Sequence, residues 1–223
     1  MNPDKNFPRR TLTGLLAALS LLGVPMADAL AASLTYNLNQ SNVESSYADG
    51  VNYLQVEITS TSAGTANFNV TPVYAFATDS NYGLQSFAFN YSGSASSLTF
   101  SNLADGWSVD GPPASALDGF GKFEYIVEGN GNNRQAQLTF TVSGLGGDTT
   151  AQTLNYFSEL SSGNSGQGNQ FFAAHLAGFS DLSVGSGDFA GSTLAPVPEP
   201  ETYAMLLAGL GLMGALARRR RIA

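Results

Sequence analysis

From Leu34 onward, apolar side chains recur at every second residue, and this period of two constrains the fold more than any other feature of the chain. Alternation at that period marks strands with one buried and one solvated face. Leu34, Tyr36 and Leu38 alternate with Thr35 and Asn37, and Leu54, Val56 and Ile58 alternate with Gln55 and Glu57. Phe68, Val70, Tyr74 and Phe76 continue the pattern, followed by Phe87, Phe89 and Tyr91 and then by Leu98 and Phe100. A hairpin is expected over 122–143: Phe123, Tyr125 and Val127 form one face, Leu138, Phe140 and Val142 its partner, and Gly129 to Asn133 the turn. On its polar face Lys122, Glu124 and Glu128 oppose Gln137, Thr139 and Thr141.

After Gly146-Gly147, a short helix is expected within Thr150 to Leu160, with Leu154, Phe157 and Leu160 turned inward. Ser161 to Asn169 reads as a mobile loop of small polar residues, and Phe171 to Phe179 as a final core strand. Seven to nine short strands, no αβ alternation and no internal repeat predict an all-β chain. The expected architecture is an antiparallel β-sandwich, jelly-roll-like, with acidic groups on its outer faces and loops. It is flanked by an N-terminal signal helix and a C-terminal transmembrane helix.

The flanks read as targeting segments. Lys5, Arg9 and Arg10 precede an apolar run from Leu12 to Val24, and small residues follow Pro25, so residues 1–31 are expected to be a secretory signal peptide cut after Ala29 or Ala31. The β domain is then 32–192, and 193–201 is a linker holding Pro-Glu-Pro. Residues 202–217 carry no charge, and 218–223 form a basic cytoplasmic tail. As a helix the uncharged run rises about 24 Å against a hydrocarbon core of roughly 30 Å, short but workable. Arg218, Arg219, Arg220 and Arg221 act as the membrane stop, which keeps the tail in the cytoplasm and the domain outside.

Val197, Pro198, Glu199 and Pro200, followed by that short apolar helix and the arginine cluster, resemble the PEP-CTERM sorting signal of exported bacterial proteins. The resemblance implies a membrane-anchored precursor and processing near Pro-Glu-Pro by exosortase, a membrane-embedded cysteine protease, then release or transfer to the cell surface. It also implies a Gram-negative source that makes extracellular polysaccharide. Pro198 and Pro200 hold this segment extended, the conformation proteases bind.

Charge narrows the partners. Between Ala32 and Ala195 there are 13 acids against Lys122 and Arg134, a net charge of −11. No nucleic-acid partner is expected, because such binding needs clustered positive charge. The chain has no cysteine, which excludes thiolate chemistry and cysteine-bound zinc.

No catalytic residues, metal site or cofactor are expected. His175 is the only histidine and lies in an apolar string, where a core role is the plain reading. Glu124 and Glu128 lie four residues apart, about 13 Å along a strand. A glycosidase needs its two carboxyl groups within roughly 5–9.5 Å. Asp-Gly pairs at 105–106 and 110–111, and the oxygen-rich stretches around Asp79 and Asp188, leave calcium open without matching an EF-hand. Trp107, the only tryptophan, most simply caps the end of the core; alternatively it could stack on a sugar ring while Asp105 and Asp110 accept its hydroxyls. The leading expectation is a non-enzymatic surface or extracellular-matrix protein with a structural or adhesive role; the alternative is a carbohydrate-binding module acting on extracellular polysaccharide.

Overall fold

A computed structural model describes residues 31–93, 98–112, 115–180 and 184–195. The signal peptide, transmembrane helix and basic tail read from the sequence lie outside them, apart from Ala31. Among the described residues no helix is long and apolar enough to cross a membrane.

The strands are β1 (Ala32–Leu38), β2 (Gln40–Ser41), β3 (Leu54–Ser62), β4 (Thr65–Pro72), β5 (Thr78–Phe89), β6 (Thr99–Ser101), β7 (Ser108–Asp110), β8 (Ser115–Leu117), β9 (Gly121–Phe123), β10 (Tyr125–Glu128) and β11 (Leu138–Ser143). After the single helix among the described residues, α1 (Thr150–Asn155), come β12 (Phe172–Phe179), β13 (Ser186–Gly191) and β14 (Thr193–Leu194). The chain is all-β, as the alternation predicts. One six-stranded antiparallel sheet, sheet A, has the order β14-β1-β3-β4-β11-β6, and a second, sheet B, has the order β2-β13-β12-β5-β10-β7.

Alternation does its work at the interface between them. Val56, Ile58, Phe68, Val70, Phe140 and Val142 of sheet A are buried, as are Phe87, Phe89, Val127, Phe172 and Phe189 of sheet B. Rings meet across the gap: Phe68 lies 5.1 Å from Phe89, Tyr36 4.9 Å from Phe172 and Tyr53 4.7 Å from Phe189. Each such pair adds about 0.5–1.5 kcal/mol beyond its buried area. Helix α1 lies against β1, β3 and β4. It starts at the cap Thr149, whose side chain accepts from Gln152 N, and buries Leu154 and nearby Phe157, whereas Leu160 is exposed.

The strand order departs from a jelly roll. β3 and β4 lie side by side because only Ala63 and Gly64 close the turn between them, and β1 pairs with the other edge of β3 although the chain visits sheet B as β2 in between. β4 then crosses to β5 in the other sheet, and β10 crosses back to β11, which pairs with β4.

The expected 122–143 hairpin is also overturned. β10 pairs with β5 and β7, and β11 with β4 and β6, so the two segments face each other across the core. Their shared apolar face is real, but period two cannot tell a neighbour in the same sheet from a partner in the facing one. The strand also breaks at Glu124, whose N–H donates to Asn90 Oδ1 (2.8 Å) and whose Oε2 accepts from Tyr91 N (3.1 Å). Phe123 consequently falls on the side opposite to Tyr125 and Val127.

Phe123 joins a second, smaller core on the outer face of sheet B. There Ala88, Ala173, Ala190 and Ile126 lie under Leu117, Phe120 and Phe123 of the β8–β9 hairpin. Small alanines on the central strands leave room for the flap's two phenylalanines. The 161–169 stretch, expected to be mobile, is tied to this flap: Lys122 N donates to Ser162 O (2.8 Å), Ser162 N to Lys122 O (2.9 Å) and Gln167 N to Gly119 O (2.9 Å). β12 is buried on both faces as a result, and it is not final, because β13 and β14 follow. Thr193 and Leu194, read as the start of the linker, pair with Asn37 and Tyr36 of β1.

Candidate functional site

The outer face of sheet B carries the densest polar constellation among the described residues. His175 on β12 faces Asp188 on β13 on one side and Ser86 on β5 on the other, and Ser86 in turn faces Glu128 on β10. Asp188 is buried and His175 about one quarter exposed. Nδ1 of His175 lies 2.9 Å from Asp188 Oδ1. The second carboxylate oxygen, Oδ2, accepts from Asn42 Nδ2 at 3.1 Å, while Asp188 N donates to Asn42 Oδ1 at 2.8 Å. Asn42 Nδ2 also reaches Asp118 Oδ2 of the flap at 3.4 Å. Asp188 thus clamps the chain after β2, β12 and, through Asn42, the flap.

These groups surround a hollow of about 260 Å³ lined by Ser86, Leu117, Asp118, Glu128, His175 and Asp188 among others. A carboxylate on Nδ1 fixes the imidazole's orientation and leaves Nε2 for the hollow. No hydrogen bond joins His175 to Ser86, so Asp188, His175 and Ser86 share a row without forming a nucleophile–base pair. Among the described residues no three His, Cys, Asp or Glu side chains gather to hold a metal ion.

This cluster went unread in the sequence. His175 and Asp188 are separated by 13 residues and by a stretch without periodicity, so only the β12–β13 register brings them together. Asp188 lies on an outer face, as expected of the acidic groups, but is buried there.

Trp107 takes the core-capping place and not the sugar-stacking one. Trp107 is only 7% exposed, and its Nε1 donates to Asn133 O at 2.9 Å. A Cβ at Gly129 would come within 2.5 Å of the Trp107 ring, so glycine is what lets the indole close that end of the core. The ring is packed inside and offers no stacking face. Asp105 and Asp110 are exposed; Asp105 O accepts from Asn133 Nδ2, and Asp110 Oδ2 accepts from Ser115 Oγ at 3.2 Å. They brace loops. Asp79 Oδ1 is likewise taken by Asn81 N at 2.7 Å.

The sorting residues Val197, Pro198, Glu199 and Pro200 and the arginines 218–221 lie outside the described residues. The described chain ends at Ala195, immediately before them in sequence. Ala195 N donates to Thr35 O at 2.7 Å, continuing the antiparallel run of β14 along β1 toward Ala32. Both ends of the domain therefore leave from the same end of the same strand pair.

Fold and tail together define the class: an antiparallel two-sheet domain with its C-terminal end directed into a sorting segment. Residues 196–221 match the family model of the PEP-CTERM protein-sorting motif. The chain carries that sorting signal, which marks an exported protein with a membrane-anchored precursor and an exosortase as processing partner. No curated protein and no solved structure matches the chain.

Proposed function

We propose that this is a non-enzymatic surface or extracellular-matrix protein in which the β domain has a structural or adhesive role. Exosortase processing near Pro198-Glu199-Pro200 would free it from the inner-membrane precursor, for the cell surface or the medium. The carrying observation is the match of 196–221 to the sorting motif.

The domain's geometry supports the topology this needs. If residues 1–31 and 202–217 both engage the same membrane before processing, the domain must present its two ends on one side. Ala32 and Ala195 do leave from one end of the β1–β14 pair.

The test is the Pro198→Ala/Glu199→Ala/Pro200→Ala variant, expressed in a host with exosortase. Uncut precursor should accumulate in the membrane fraction while wild type is shortened, as read by intact mass. Equal processing of the two would overturn the sorting half of the reading.

A further inference from the structure

The two outer faces of the sandwich are treated differently. Sheet B is covered by the flap, but the outer face of sheet A, formed by β1, β3, β4 and β11, is bare. Thr35, Glu57, Asn69 and Thr139 stand in one cross-strand row. Beside it run Thr59, Asn67 and Thr141. Glu57 is the single charge in these rows, whereas solvated surfaces are commonly about 25–35% charged. They contain no aromatic or aliphatic side chain, and Val73 just past β4 adds only a single exposed aliphatic group to the trough, too little for an apolar protein partner or a lipid surface.

The amides on it are oriented. Asn69 Oδ1 accepts from Gln137 Nε2 (2.6 Å) and from Thr71 Oγ1 (3.1 Å). Asn67 Oδ1 accepts from Thr141 Oγ1 (2.8 Å), which itself accepts from Asn102 Nδ2 (3.1 Å). With both carbonyl oxygens occupied from within the face, the two NH₂ groups remain to donate outward. Glu57, cross-strand from Asn69, supplies the acceptor. Two adjoining hollows of about 290 and 330 Å³ share Glu57 and Asn69 in their walls and make one shallow trough across the strands.

We infer that this face binds a neutral polyhydroxylated chain, a polysaccharide without charged groups, laid across β1, β3, β4 and β11. Fixed amide donors beside a carboxylate match the oxygen and the proton of neighbouring sugar hydroxyls. An anionic polymer would meet Glu57 and the domain's net negative charge with no cation to offset them. The four strands span about 14 Å, and a trough repeated along a polymer gains retention through many weak contacts. This extends the proposed surface role by giving it a ligand, and it stands apart from the sorting signal.

The test uses the full chain in a zwitterionic detergent, run by affinity electrophoresis through gels holding dextran, galactomannan, hydroxyethylcellulose or alginate. Wild type should be retarded on at least one neutral gel and not on alginate. The Asn67→Leu/Asn69→Leu variant should bind about tenfold more weakly, and Glu57→Gln should also weaken binding while keeping side-chain shape. Glu44→Gln, exposed in the turn after β2 of the other sheet, should be retarded as wild type is. The inference is overturned if no neutral gel retards wild type, if both face variants are retarded equally, or if alginate retards as strongly. Exosortase processing, read by mass, is indifferent to every one of these outcomes.

Discussion

Phe120→Ala removes one of the two largest side chains joining the β8–β9 flap to sheet B. Phe120 is fully buried, and its cluster of Ala88, Leu117, Phe123, Ile126, Ala173 and Ala190 is separate from the main core. Truncating a buried Phe costs about 3–5 kcal/mol. Since the main core keeps its own rings, that cost should fall on local opening of the flap and the 161–170 stretch rather than on global unfolding. At ~1.4 kcal/mol per decade, opening should become about two to three and a half decades more frequent. Hydrogen exchange checks this directly. The amides of Lys122, Ser162 and Gln167, which bond across the flap and loop, should lose protection by that factor, while those of β3 and β4 keep theirs. Uniform loss over both groups would refute two separable cores, and unchanged protection at Lys122 and Ser162 would refute the anchoring role of Phe120.

Asp188→Asn keeps the shape of the clamp but removes its charge and one acceptor oxygen, so that Asn42 Nδ2 loses its acceptor or His175 must change tautomer, at a cost of about 1–3 kcal/mol. For a domain of this size the melting temperature should fall by roughly 2–4 °C per kcal/mol, and an unchanged melt would deny Asp188 its role. Alkaline titration tests the aromatic end of the core. Burial, with smaller contributions from Tyr74, Asp49 and Tyr47, pushes the Tyr53 phenol up to about 12. Tyr82, whose hydroxyl is buried without a partner, and Tyr125 are raised chiefly by burial as well. These groups favour the protonated form in the folded state. Their stabilisation is therefore complete below the unfolded value of 10.0 and is lost as pH rises through about 12. Phenolate absorbance should show late-ionising tyrosines that titrate together with loss of far-UV dichroism; ordinary midpoints in a still-folded chain would contradict this.

Local and periodic features were legible in advance. Leu54, Val56 and Ile58, or Phe87 and Phe89, point inward because alternate side chains in a strand must take opposite faces, whatever the sheet. The α1 helix was visible in Leu154 and Phe157, but Leu160 lay past its end and turned out to be exposed. The sorting signal was equally legible, because it is a contiguous string read by a protease and a membrane rather than a surface built by folding.

Tertiary structure decided which strands are neighbours. Val127 and Val142 had identical credentials for one hairpin, yet they sit in different sheets. It also decided that Trp107 closes the core and offers no sugar platform, and that His175 meets Asp188. Alternation specifies a face for each side chain, but pairing depends on crossovers and loop paths that no short window of sequence contains. Contiguous signals are therefore written in the chain itself, while every site assembled from separate strands exists only once the sheets have chosen their order.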